Sequence, residues 1–163
     1  MINDAHLHII LVHIPVVLVP FACLTLLLGI TRRNSTVTGV ALSFLVVATL
    51  ITVPAFLLGE GAEEIVEHLP GVSEHTIEEH EEAADVAFWC TVATGIVSLI
   101  SLYGMKVAAT WRTAAASLAL LLSLGASICL TYAANQGGKI RHPEAYDSQG
   151  SQSQGAQNER DED

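Results

Sequence analysis

The sequence predicts an all-α membrane protein: a bundle of four transmembrane helices with an acidic outer helical connection and a disordered C-terminal tail. Four stretches, 9–30, 37–58, 86–105 and 113–134, contain no Asp, Glu, Lys or Arg, and each is 20 to 22 residues long. At the helical rise this is roughly 30 to 33 Å, the thickness of a bilayer's hydrocarbon core. Composition agrees. Acidic residues outnumber basic ones 17 to 7, for a net charge of −10, yet 51% of residues are hydrophobic and mean hydropathy is +0.48. Charge and apolarity must therefore occupy different parts of the chain. The runs lack the polar stripe of a soluble bundle and the alternation of a barrel strand, and the acidic balance excludes a nucleic-acid binder.

The first span, about 9–30, is not a secretory signal by pattern, because no positive charge precedes it. Arg32 and Arg33 follow it, and Lys106 and Arg112 occupy the connection before the fourth span. By the positive-inside rule these four mark the cytoplasmic face of a bacterial inner membrane, with both termini periplasmic. Trp111 at the inner end, and Trp89 and Tyr132 at the outer ends, suit interfacial anchors.

The second span, about 37–58, carries a stripe of small residues, Thr38, Ala41, Ala48, Thr52, Ala55 and Gly59, interrupted by Leu45. The connection 59–85 is acidic and rich in histidine; its first part reads as a short helix ended by Leu69-Pro-Gly71. Ser73 then suits an N-cap for a helix over 74–105 that runs unbroken into the third span. Stepping along it from His80 meets Ala84, Ala87, Thr91, Thr94, Ser98 and Ser101, every one small, so His80 is expected to point into the bundle. The fourth span, about 113–134, is expected to stop at Asn135-Gln-Gly-Gly138. The tail 143–163 offers nothing apolar to bury and reads as disordered. Cys23, Cys90 and Cys129 fall inside apolar runs, where small buried hydrophobes are expected rather than a disulfide framework.

All 17 acids then lie at the outer face, and all seven histidines lie on or just within it. His13 is about one turn inside the first apolar run, and an ionisable group there marks function by default. His8 is about 140° away from His13 around a helix, so the two share no face unless the chain unwinds between them. His142 follows the fourth span. Three readings compete: two imidazoles on a haem iron; three or four imidazoles on copper, zinc or iron; or histidines that only hydrogen-bond helix ends. No Glu-x-x-His of the di-iron kind and no His-Glu-x-x-His occurs.

These residues resemble a family of bacterial four-helix membrane proteins, catalogued as domain-of-unknown-function family two-two-three-one. The likeness covers the chain to His142. It rests on His8-Ile-Ile-Leu-Val-His13-Ile-Pro15, on Gly59-Glu-Gly-Ala-Glu-Glu64, and on Leu69-Pro-Gly-Val-Ser-Glu74 followed by His80-Glu81. It closes on Gly137-Gly-Lys-Ile-Arg-His142. Ile9 stands where the family has Pro. The resemblance implies a periplasm-facing module with a redox or haem-binding role and marks His8, His13, His80 and His142.

The expected function is a small b-type cytochrome passing electrons between a quinol pool and a periplasmic cytochrome c, alone or in a homo- or hetero-oligomer. Its haem b would sit on His13 and His80, with His8 and His142 able to hold a second. Lys139 and Arg141 would pair the propionates. A site for Cu, Zn or Fe ions is the alternative, and a structural subunit without cofactor the second.

Overall fold

The computed structural model describes residues 3–70, 72–142 and 146. The expected tail falls almost entirely outside them, as does Gly71. The chain forms α1 (Asp4–Thr31), α2 (Ser35–Leu57), the short α3 (Gly59–Val66), α4 (Glu74–Lys106) and α5 (Arg112–Arg141). The four long helices are long and apolar enough to cross a membrane, as the charge-free runs predict.

They pack in the ring order α1, α2, α4, α5, with α5 closing back on α1, so α1 and α4 are diagonal partners; α3 lies against α1. The core is narrow and made largely of small residues, with Ala22, Ala41, Ala48, Ala119 and Ala126 around Val19, Leu26, Leu42 and Leu45. Large side chains such as Leu24, Leu50, Trp89, Leu121 and Ile128 are exposed on the outside. This inversion of a soluble core is what lipid demands, since tails accept bulky apolar groups while helix contact needs close backbones.

Both small-residue stripes are largely buried where the sequence places them, with Thr38, Gly59 and Ala84 half-buried. Ala87, Thr91, Thr94, Ser98 and Ser101 line the inner face of α4, and Ala41, Leu45, Ala48, Thr52 and Ala55 that of α2. Their hydroxyls remain satisfied without water: Thr91 donates to Ala87 O at 2.7 Å, Ser98 to Thr94 O at 2.7 Å and Thr52 to Ala48 O at 2.8 Å. Thr49 Oγ1 stands 2.9 Å from Leu45 O and 3.0 Å from Thr91 O, tying α2 to α4. Beside it, a methyl group on Gly95 would collide with the Thr49 side chain.

The helix ends follow local chemistry. Asn3 Oδ1 accepts from His6 N and Asn34 Oδ1 from Val37 N, which caps α1 and α2. Ser73 occupies the N-cap position of α4, but its side chain makes no capping bond. α1 and α4 stop in the same way. Arg33 and Ala108 take left-handed φ, while the next residues, Asn34 and Ala109, return their N–H groups to Gly29 O and Gly104 O. Pro15 and Pro20 lie inside α1 without ending it.

Two boundaries depart from expectation: α1 already begins at Asp4, ahead of the charge-free run from residue 9, and α5 runs past its expected end. The fourth span does not stop at Asn135-Gln-Gly-Gly138; α5 continues to Arg141, and His142 is its C-cap. The acidic half of α4 extends far enough to pack against these extra turns, and that tertiary contact outweighs the weak helix preference of two glycines.

Gly95→Ala is expected to lower stability by about 1–3 kcal/mol through over-packing against Thr49. Gly125→Ala, where the added methyl meets nothing within 4 Å, is expected to be neutral or stabilising by about 0.5–1 kcal/mol. Unfolding in mixed detergent micelles measures both.

Candidate functional site

The site is built at the acidic end of the bundle. His8 lies one turn into α1, and its Nδ1 donates to Ala55 O, 2.8 Å away, in the last turn of α2. The last carbonyls of a helix lack intrahelical partners, so the imidazole fills an open acceptor and fixes its own ring at the same time. His80 makes the equivalent link between the other two helices, its Nδ1 donating from α4 to Ala133 O of α5 at 3.0 Å. Gly137, one turn beyond Ala133, admits that ring. A methyl there would stand 3.1 Å from His80 Cε1 and 3.3 Å from Nδ1.

A carbonyl oxygen can only accept, so both Nδ1 atoms carry a proton, and in the neutral ring the lone pair lies on Nε2. The two rings approach across the bundle axis with centroids 6.3 Å apart and planes at 86°. Both are half-buried. Thus the diagonal helices α1 and α4 meet through two imidazoles, each held by a neighbouring backbone.

Gln136, next to the glycine beneath His80, is 2% exposed. Its Nε2 donates to Tyr132 Oη at 3.0 Å, and its Oε1 has no hydrogen-bond partner among the described residues. A buried acceptor of this kind costs about 1–3 kcal/mol until a donor reaches it. On the outer side, Glu63 of α3 hydrogen-bonds Glu81 of α4. That bond, with smaller effects of burial and of the neighbouring negative charge, raises the Glu63 carboxyl above its usual range. Two carboxyl groups can share a hydrogen bond only while one keeps its proton.

The expected pairing of His13 with His80 is not formed. His13 is exposed on the outer surface of α1 and its Nδ1 donates to Ile9 O of its own helix. α1 is continuous from Asp4, so His8 and His13 cannot both face the axis, and His8 takes that position. His142 caps α5 with its N–H on Gly138 O at 2.9 Å and is exposed. Lys139 is half-buried and Arg141 exposed on the same last turn. His68 and His75 are exposed beside Glu67 and Glu79, at 3.2 and 3.6 Å. Gln136 and the Glu63–Glu81 pair are absent from the sequence-based set. Ala133, Gln136 and Gly137 do share one helical face by spacing, which is the signal that could have drawn attention to Gln136.

Four long apolar helices enclosing a half-buried imidazole pair at one end define a polytopic membrane protein with a polar focus at that end. The chain belongs to the family described as "Predicted membrane protein (DUF2231)", which matches residues 5–144. No curated protein and no solved structure matches it.

Because the Glu63 carboxyl is held above its usual range, the contribution of the Glu63–Glu81 contact is complete below the ordinary carboxylate range. It is lost as pH rises through the folded-state value of Glu63. Amide protection factors in α3 are expected to fall between acid and neutral pH. Glu63→Gln, which keeps a donor at every pH, is expected to flatten that dependence.

Proposed function

We propose that this is a membrane-embedded b-type haem protein that transfers electrons near the periplasmic face, with His8 and His80 as the residues that would hold the iron. One observation carries the reading. Two imidazoles from diagonal helices meet across the axis, each with Nδ1 anchored on a backbone carbonyl and Nε2 left to bind. Anchoring of this kind orients the ring and raises its basicity as a ligand.

The donor set suits haem better than a bare ion. Among the described residues, no group of three or more His, Cys, Asp or Glu converges as metal ligands. Zinc would need more than two protein ligands, whereas a porphyrin brings its own four nitrogens and asks the protein for two. The ring centroids stand only 6.3 Å apart, so one group between them would be within reach of both imidazoles. The surrounding positions, Ala55, Gly59, Ala133 and Gly137, carry little side chain to oppose a flat group. When bound, haem supplies a one-electron couple. The protein's part would be to hold the ligand rings between the packed helix ends and to offer Lys139 and Arg141 to the propionates.

The proposed orientation is supported by Arg32, Arg33, Lys106 and Arg112, which bound the turns at the opposite end, because the positive-inside rule favours such charges on the cytoplasmic side. The acidic end then faces the periplasm of an inner-membrane protein, where it would steer a cationic cytochrome c, with association that weakens as salt rises. The unpartnered Gln136 Oε1 is a ready acceptor for a quinol hydroxyl.

Full-length protein purified from haem-replete cells is expected to show a b-type α band in its reduced-minus-oxidised spectrum. His8→Ala and His80→Ala are each expected to lose it and His13→Ala to keep it. A wild-type protein without the band, or a band surviving in the His8→Ala and His80→Ala variants, overturns the assignment. Copper, zinc or iron bound at about one per chain without porphyrin would replace it with a metal site. Gly137→Val, which crowds His80, is expected to lower haem occupancy while leaving the purified fold intact by circular dichroism.

A further inference from the structure

The bundle brings together two thiols that are 39 residues apart in the chain. Cys90 of α4 and Cys129 of α5 face each other with sulfurs 3.8 Å apart, whereas Cys23 is buried in α1. We propose that Cys90 and Cys129 form a dithiol–disulfide redox couple served by a lipid-soluble quinone. This site is separate from the histidine pair and does not depend on a haem.

Geometry supports bond formation. A disulfide needs its sulfurs about 2.05 Å apart, so they must approach by under 2 Å. Rotation of the two side chains supplies movement of that size, and α4 and α5, which pack extensively, hold the backbones in place. Position selects the oxidant. Both cysteines lie within the charge-free runs, and both are half-buried rather than sealed in the core. An oxidant that reaches them must dissolve in the bilayer and accept two electrons, which a quinone does. In the reaction both S–H bonds break and one S–S bond forms. Two electrons and two protons pass to the quinone, which leaves as quinol. The reverse reaction would return the dithiol at the expense of quinol.

The test uses full-length protein in lipid nanodiscs, reduced, freed of reductant and mixed anaerobically with tetramethylbenzoquinone, whose ring has no open position for thiol addition. After acid quenching, alkylation in denaturant and intact mass analysis count the free thiols. The expected result is a fall from three alkylated cysteines to one, with one quinol formed per chain and full reversal by dithiothreitol. Peptide mapping should find Cys90 joined to Cys129. Cys90→Ser and Cys129→Ser should each keep two alkylatable thiols and form no quinol. Three free thiols in the oxidised wild type, or a disulfide found only between chains, would overturn the proposal. The wild-type measurement stands even if a serine variant fails to fold.

Discussion

The whole arrangement depends on how closely α4 approaches its neighbours. Gly95 has no room for a methyl against Thr49, and the inner face of α4 below it is Ala, Thr and Ser. In a bilayer there is little hydrophobic gain from burying leucine against leucine, so contact distance supplies the attraction through dispersion and short polar links. Every buried hydroxyl must then find a partner inside the bundle. The Thr and Ser residues do so by returning to carbonyls of their own helix or by reaching a neighbour, as Thr49 does to Thr91 O of α4 and Ser101 to Arg112 O of α5. With α4 held this near, α5 can lie along it, and the extra turns of α5 have a surface to fold against.

The histidine pair extends the same logic to the end of the bundle. There imidazoles take over the linking of neighbours: α1 to α2 through His8, and α4 to α5 through His80. Each link uses the proton on one ring nitrogen, which leaves the other nitrogen available to whatever occupies the axis. If the pair holds the proposed haem, a single geometry serves both cohesion and binding, and loss of either imidazole is felt in the bundle and in the site. Separating the two effects requires measurements on both.

Much of the fold was legible because the bilayer imposes a length and a polarity that composition cannot hide. The four charge-free runs became the four long helices, and the small stripes of α2 and α4 became their packing faces. The alignment of His80 with one of those stripes already points it inward. What periodicity could not supply was the relation between helices. His13 looked compelling because it lies within an apolar run, but its angular position on α1 turns it outward once His8 faces in. The ring order, the Ala55 and Ala133 acceptors, the Glu63–Glu81 pair and the approach of Cys90 to Cys129 all arise from tertiary placement. The continuation of α5 through Gly137 and Gly138 belongs with them, because intrinsic propensity favoured a stop and packing favoured more helix.

α4 contains 33 residues, so at 1.5 Å per residue it is about 50 Å long, well beyond the hydrocarbon thickness. Its charge-free run begins six residues after His80, about 9 Å along the axis, whereas that of α1 begins immediately after His8. The two rings nevertheless meet at one level. The apolar belts of α1 and α4 are therefore staggered relative to the membrane plane, and a bilayer of uniform thickness cannot match both at once. Hydrophobic mismatch on one helix is relieved by sliding or tilting it against the other. Such movement would alter the separation of the two imidazoles, making lipid chain length a mechanical input to the site.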